Sequence, residues 1–81
     1  MFYVYILKSK TTNYFYKGIT SNLKQRLTNH VKGYNKTTKP YLPLQLIHVD
    51  ICKNRYQARL LEKFFKTGYG REVIREISLL F

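Results

Sequence analysis

The chain has 81 residues and carries 15 lysines and arginines against 4 acidic residues, so its formal net charge is +11. Hydrophobic residues make up 44% of it and aromatic residues 16%, which is typical of a globular protein rather than a disordered one. We expect one domain over residues 1–81, because two domains of half this length would each bury too little apolar surface to fold. Length and composition therefore exclude a multidomain enzyme, a disulfide scaffold and a membrane span.

The positive charge is concentrated in the first half of the chain. No acidic residue precedes Asp50, whereas this half contains Lys8, Lys10, Lys17, Lys24, Arg26, Lys32, Lys36 and Lys39. So large a basic excess favours a polyanionic partner, and nucleic acid is the most common one. The alternative is a solvated surface that only keeps the protein in solution.

The single cysteine, Cys52, cannot form an internal disulfide, and we expect it to be a small buried apolar residue. A lone cysteine is typical of a reducing compartment, and no charged leader precedes the first apolar segment, so we expect a cytoplasmic protein. The longest apolar run, residues 2–7, is far shorter than the ~20 residues that cross a membrane, and we expect no membrane partner.

The first half of the chain predicts two strands and a helix. Residues 2–7 are aromatic and β-branched and predict a largely buried strand, and residues 14–17 predict a second strand that ends at Gly18. Helix-capping residues at 20–22 then precede a basic amphipathic helix predicted over about residues 21–32. Its apolar side is predicted from helical spacing and comprises Leu23, Leu27, Val31 and Tyr34.

The second half predicts a polar loop at residues 35–43, a third strand at 44–49 and two helices. Asn54 is expected to cap a helix that runs to about Thr67, and the glycines at 68 and 70 are expected to break it before a last helix over 71–80. The residues expected to face inward are Ala58, Leu61 and Phe65 in the first of these helices and Val73, Ile74, Ile77 and Leu80 in the second. The order β-β-α-β-α-α predicts an α+β fold, a small sheet with helices packed on it.

Few residues remain that could carry chemistry, because the sequence has no Ser-His-Asp context, no zinc-ligand spacing and no glycine-rich phosphate loop. Arg26 and His30 are four residues apart and lie on one side of the first helix, beside its apolar side. Tyr3 and Tyr5 share one strand face, and Tyr16 lies near the end of the next strand. Each has a simpler interpretation: aromatic packing for the tyrosines, a satisfied half-buried imidazole for His30, and a solvated charge for Arg26.

Glu62 is the acidic residue whose position needs an explanation. At helical spacing it falls on the same side as Ala58, Leu61 and Phe65. An acid on an apolar face is paired with a cation, bound to a metal ion or protonated. The simplest alternative is a salt bridge to one of the many lysines and arginines.

Three segments, in this order and with this spacing, resemble the GIY-YIG endonuclease superfamily and, more narrowly, its small bacterial members. They are YVYILKS at residues 3–9, YKGITSNLKQRLTNH at 16–30 and RLLEKFFKTGYGR at 59–71, and together they extend over nearly the whole chain. Tyr3 and Val4 stand where glycine and isoleucine give the family its name, and Lys17 stands inside the second motif, but the motif tyrosines are intact.

The resemblance implies a three-stranded antiparallel sheet flanked by helices, and a nuclease that cleaves phosphodiester bonds with a single divalent ion, Mg²⁺ or Mn²⁺. Tyr5, Tyr16, Arg26 and His30 match catalytic positions of the family, and Glu62 matches its metal-binding glutamate. One carboxylate is chemically sufficient for Mg²⁺, which is commonly bound by few carboxylates together with water and substrate phosphates.

The sequence therefore predicts a metal-dependent endonuclease that hydrolyses DNA. The alternatives are a catalytically inactive module that binds DNA or structured RNA, and a structural RNA-binding protein of ribosomal type. The intact set of Tyr16, Arg26 and Glu62 favours the nuclease, because phosphate binding alone does not require Glu62. The candidate nucleic-acid ligands of the basic half are Lys17, Lys24, Lys32, Lys36 and Lys39.

Overall fold

The chain folds in the order β-β-α-β-α-α, as the sequence predicted, in a computed structural model that describes residues 1–81. The elements are β1 (Phe2–Ser9), β2 (Phe15–Thr20), α1 (Leu23–Val31), a 3-10 turn (Lys39–Tyr41), β3 (Leu44–Cys52), α2 (Arg55–Phe65) and α3 (Gly68–Ser78). The α+β fold and the three-stranded antiparallel sheet are both confirmed. None of the helices has the length and apolar character needed to cross a membrane.

The strand β1 lies in the middle of the sheet, whose order is β2-β1-β3. Both neighbours run antiparallel to it, and Tyr5 lies opposite Gly18 on one side and Val49 on the other. Val4, Tyr5 and Ile6 are fully buried. A central strand that is covered on both faces needs large apolar or aromatic side chains in both directions, which explains the continuous hydrophobic run at the start of the chain.

One face of the sheet packs on α2 and α3 and contains the apolar core. The core residues are Val4, Ile6, Ile47, Cys52, Ala58, Phe65 and Ile74, all buried. Cys52 is a free thiol inside this core, as the sequence predicted. Asn54 caps α2 by accepting a hydrogen bond from the Gln57 backbone at 2.9 Å, which also agrees with the prediction.

The predicted break between the last two helices is present, but it lies at Lys66 and Thr67 and not at the glycines, because Gly68 and Gly70 form the first turn of α3. The Thr67 hydroxyl caps this turn by accepting a hydrogen bond from the Gly70 backbone at 3.0 Å. A Cβ atom at Gly70 would lie 2.7 Å from the Phe65 Cα. Glycine is therefore needed here so that the start of α3 can pack directly on the end of α2, and not to end a helix.

Three other predicted details differ in the structure. Gly18 lies inside β2 rather than at its end. On α1 the buried residue is His30, whereas Val31 and Tyr34 are both 70% exposed, so the inward side of the helix is rotated toward its polar residues. Leu80 was expected to face inward, but it follows the last turn of α3 and is 82% exposed.

Candidate active site

Tyr5 is the buried centre of a polar cluster on the face of the sheet that α1 covers. Its hydroxyl lies 2.9 Å from Nε2 of His30, within hydrogen-bonding distance. Gly18, directly opposite on β2, makes room for the ring, because a Cβ atom there would lie 2.8 Å from the Tyr5 Cε1. The glycine of the second motif is therefore required by packing against the tyrosine of the first.

His30 is fixed by hydrogen bonds at both ring nitrogens. Nε2 faces Tyr5, and Nδ1 lies 2.7 Å from the hydroxyl of Thr38, which is itself fully buried. The imidazole is 1% exposed and has no freedom to turn without losing a partner. Because each hydroxyl can donate or accept, Tyr5, His30 and Thr38 form a continuous chain of hydrogen bonds.

The sequence pattern did not indicate that Thr38 belongs to this cluster, because the residue lies in a segment predicted as a polar loop. The Asn35 side chain accepts hydrogen bonds from the backbone of Thr37 and Thr38, which turns the chain inward at this point. Tyr41, just beyond, stacks on Tyr14 of the segment before β2 with ring centres 3.7 Å apart. The one indication of such a residue in the sequence is His30 itself, because a buried histidine needs a hydrogen-bond partner for its second ring nitrogen.

Tyr16 is the half-buried member of the cluster and lies on β2 next to Tyr5. Its ring centre is 6.1 Å from that of Tyr5 and 5.1 Å from that of His30. Both contacts are tilted or edge-on, the geometry that aromatic rings prefer. Tyr5, Tyr16 and His30, which lie up to 25 residues apart in the sequence, are thus brought together.

Burial and Arg26 determine the charge state of the cluster. Burial, reinforced by Tyr16, raises the pKa of Tyr5 well above its ordinary value, although Arg26 acts in the opposite direction. Burial and the Arg26 guanidinium both lower the pKa of His30 below its ordinary value of 6.5. Near pH 7, Tyr5 and His30 are therefore neutral, and half-buried Arg26 is the permanent positive charge beside them.

Glu62 lies on α2, the helix that packs on the other face of the sheet. It forms no hydrogen bond or ion pair with Tyr5, Tyr16, Arg26 or His30. Its side chain is 23% exposed, and its Oε2 lies 3.6 Å from Nζ of Lys66, one helical turn further on. The salt bridge to a lysine or arginine, given from the sequence as the alternative for Glu62, is therefore present. The pair is long, and Lys66 is itself largely exposed, so the carboxylate remains accessible to another cation.

No group of three histidine, cysteine, aspartate or glutamate side chains is arranged to hold a metal ion. A hard ion with a single protein carboxylate takes its other ligands from water and substrate phosphate. Glu62 is chemically compatible with that kind of site, whereas Glu72 is largely exposed and engaged in an ion pair with Arg75.

Lys17 lies on the opposite face of β2 from Tyr16, because side chains alternate along a strand. Burial, together with Arg71 and Lys66, lowers its pKa. Lys17, Arg71 and Arg75 line a pocket of about 210 Å³ on the α3 side. The other predicted nucleic-acid ligands are all exposed to solvent, namely Lys24, Lys32, Lys36 and Lys39.

Comparison with known proteins gives one family match. The family model described as the GIY-YIG catalytic domain matches residues 1–75. The chain is 33% identical to a "UPF0213 protein in ldhD 5'region" of Pediococcus acidilactici, with 95% of this chain and 81% of the relative covered. It is 39% identical to a "UPF0213 protein" of Pediococcus pentosaceus, with 80% and 68% covered. No solved structure gives a significant match.

Proposed function

The chain belongs to the family of GIY-YIG catalytic domains, a family of nucleases, and we propose that it is a divalent-metal-dependent endonuclease that hydrolyses DNA phosphodiester bonds. The proposal rests on one observation: Tyr5, Tyr16 and His30 meet in a single cluster beside Arg26. Apolar packing alone would not require a phenol and an imidazole joined by a buried hydrogen bond.

Arg26 supplies the permanent positive charge of the proposed site. A guanidinium can donate two hydrogen bonds to one phosphate group, and its charge becomes more valuable as negative charge grows on the oxygens of the transition state. Because Tyr5 and His30 stay neutral near pH 7, neither competes with the phosphate for this charge.

Once it has lost its own proton to solvent, Tyr16 is the phenolate placed to take the proton from the attacking water, since it is half-buried whereas Tyr5 is fully buried and protonated. Tyr5 and His30 orient it: their hydrogen bond and the two ring contacts hold Tyr16 in one position against the sheet. A positioned proton acceptor contributes about 10²–10⁴ in rate.

Glu62 would hold the divalent ion, Mg²⁺ or Mn²⁺, through its carboxylate. When bound, such an ion supplies positive charge for the phosphate and the leaving oxygen. Lys66, which pairs with Glu62 in the free protein, would remain as an exposed cation beside the substrate.

The test compares Glu62→Gln with Glu72→Gln, a matched control that changes the same functional group at an exposed position on α3. Mn²⁺ binding is measured by titration, and Mg²⁺-dependent cleavage is measured on branched, nicked and single-stranded DNA and on RNA of the same sequence. We expect Glu62→Gln to abolish metal binding and cleavage while it retains nucleic-acid binding and the fold. Glu72→Gln should resemble the wild type.

Equal Mn²⁺ affinity and retained cleavage in Glu62→Gln would return Glu62 to its salt bridge with Lys66. A wild-type protein that binds DNA and RNA but cleaves neither with either ion would instead be the catalytically inactive nucleic-acid-binding module. Cleavage of RNA alone would correct the substrate and leave the roles of the residues unchanged.

A further inference from the structure

A polar cavity of about 380 Å³ lies beside Arg26, between the end of β2, one side of α1 and the loop that follows this helix. Tyr34 is the one hydrophobic residue among the eight that line it. Four of the eight carry side-chain amides, namely Asn22, Gln25, Asn29 and Asn35. The cavity therefore offers neutral hydrogen-bonding groups and one charge, although the chain as a whole is strongly basic.

Not all of these amides are equally free. The Asn22 oxygen caps α1 by accepting from the Gln25 backbone at 3.1 Å, and the Asn35 oxygen accepts from Thr37 and Thr38. The Gln25 oxygen is within 3.4 Å of the Asn22 nitrogen. Asn29 is half-buried, and its side chain makes no hydrogen bond within the chain, so both its carbonyl and its amino group are available to a ligand.

An aromatic ring and a guanidinium stand at the same cavity. Tyr34 is 70% exposed and lines the cavity wall without being part of the core. Arg26 lines the cavity and also acts on Tyr5 and His30 of the polar cluster. A group bound in the cavity would therefore be the immediate neighbour of a phosphate held by Arg26.

We propose that this cavity binds one unpaired nucleobase of the substrate, next to the phosphate that is cleaved. The inference rests on the proposed nuclease function and extends it to the kind of nucleic acid that is accepted. Asn29 would pair with the base edge through its free donor and acceptor, and Tyr34 would stack on the base. A base inside a duplex has both ring faces covered by its neighbours and could not stack on Tyr34, so the substrate would present a single-stranded or extruded nucleotide.

The chemistry of the lining favours a base over a second phosphate. A phosphate has only acceptors and takes cations and donors, as the pocket of Lys17, Arg71 and Arg75 on the other face provides. A phosphate could use only the amino group of Asn29 and would leave its carbonyl unpaired, whereas a base edge offers donors and acceptors that match both.

The experiment measures binding without cleavage, in chelator, by fluorescence anisotropy. The probe is a short single-stranded DNA, compared with a set of the same DNA in which each nucleotide in turn is replaced by an abasic analogue. We expect one abasic position to weaken binding by about tenfold or more. Asn29→Ala and Tyr34→Ala should weaken binding of the intact DNA similarly and change binding of that abasic DNA little.

Two controls make the result specific. Thr28→Ala changes the exposed residue next to Asn29, whose hydroxyl bonds only the backbone of α1, and it should bind like the wild type. Tyr34→Phe keeps the ring and should restore binding lost in Tyr34→Ala. The Asn29 side chain has no hydrogen bond within the chain to lose, and alanine favours a helix, so Asn29→Ala is expected to fold.

Equal binding of the intact DNA and every abasic DNA would overturn the base cavity and leave the nuclease proposal standing, because cleavage depends on other residues. Loss of binding to all DNAs in Asn29→Ala would also overturn it, since that pattern indicates a phosphate contact. Base-dependent binding by a protein that cleaves nothing would support the cavity and reject the nuclease.

Discussion

On the face of the sheet covered by α2 and α3 the buried residues are almost all aliphatic or aromatic, whereas those on the α1 face include Tyr5, His30 and Thr38, which are joined by two hydrogen bonds. The apolar face is stabilised by burial, at roughly 25 cal/mol per Å² of apolar surface removed from water, and tolerates exchanges between apolar side chains of similar volume. The polar face gains little from each hydrogen bond, about 0.5–1.5 kcal/mol, but breaking one leaves a buried group unsatisfied.

This difference separates two tasks. We expect the α2 and α3 face, which contains the apolar core, to supply most of the stability, whereas the α1 face fixes the positions and charge states of the proposed catalytic groups. Substitutions on the first face should therefore change stability, and substitutions on the second should change activity.

The greatest loss of stability is expected for a substitution on the apolar face. Phe65 is 3% exposed in the core, and Phe65→Ala removes a buried ring and leaves a cavity, which costs about 3–5 kcal/mol in the free energy of unfolding. Urea unfolding of the variant measures this cost. Phe64→Ala, which changes the half-exposed neighbour on the same helix, should cost less than half as much. Equal costs would show that the α2 face is not the main apolar core.

On the other face, Arg26→Ala should change activity and leave stability nearly intact. Loss of a charge that stabilises the transition state costs about 10²–10³ in rate. The side chain is half-buried on α1 and forms no ion pair, so we expect a stability loss of about 1 kcal/mol or less. Cleavage rates and thermal melts of Arg26→Ala and of the exposed control Lys53→Ala, which is not among the predicted nucleic-acid ligands, test both statements. A folded variant with wild-type rates would show that Arg26 is only a surface charge.

Thr38→Val tests whether the polar face depends on its hydrogen bonds. Valine has nearly the same shape but leaves Nδ1 of the buried His30 without a partner, which costs about 1–3 kcal/mol. The cleavage rate should also fall and its pH profile should shift, whereas Thr38→Ser should restore both. Ile47→Val, an equally small change on the apolar face, should cost about 0.5–1.5 kcal/mol and leave the pH profile unchanged. Identical profiles in all variants would reject a positioning role for Thr38.

A weaker change is expected in the free energy of unfolding as the pH is varied. Burial and Arg26 lower the pKa of His30 in the folded protein, so below pH 6.5 the unfolded chain binds a proton that the folded chain resists. The contribution of His30 to the free energy of unfolding is therefore fully present above that pH. It decreases as the pH falls below that value, by at most about 1.4 kcal/mol per pH unit. Chemical unfolding at several pH values measures this slope.

His30→Gln should flatten the slope, because glutamine does not titrate. His48→Gln removes the other histidine, leaves His30 in place and should retain the slope. A wild-type protein whose stability is constant from about pH 7.5 to pH 5.5 would contradict the buried neutral imidazole.

The features that depend on neighbouring residues in the chain could be predicted from the amino-acid sequence. The order of strands and helices follows from hydrophobic periodicity, and the start of α2 follows from the capping side chain of Asn54. The burial of Cys52, Ala58 and Phe65 was also predictable, because the apolar side of a helix or strand faces the sheet or the core whatever its partners are.

Which residues are buried on the α1 face depends instead on contacts between distant parts of the folded chain. The helical pattern assigned Val31 to the interior, but the space beneath α1 is filled by the Tyr5 hydroxyl, which needs a polar partner, so His30 turns inward. The same dependence on distant atoms explains Gly18, which is required by the Tyr5 ring, and Thr38, which is required by the second nitrogen of His30. Local patterns cannot reveal such requirements, because a hydrogen bond or a close approach depends on groups that only the folded chain brings together.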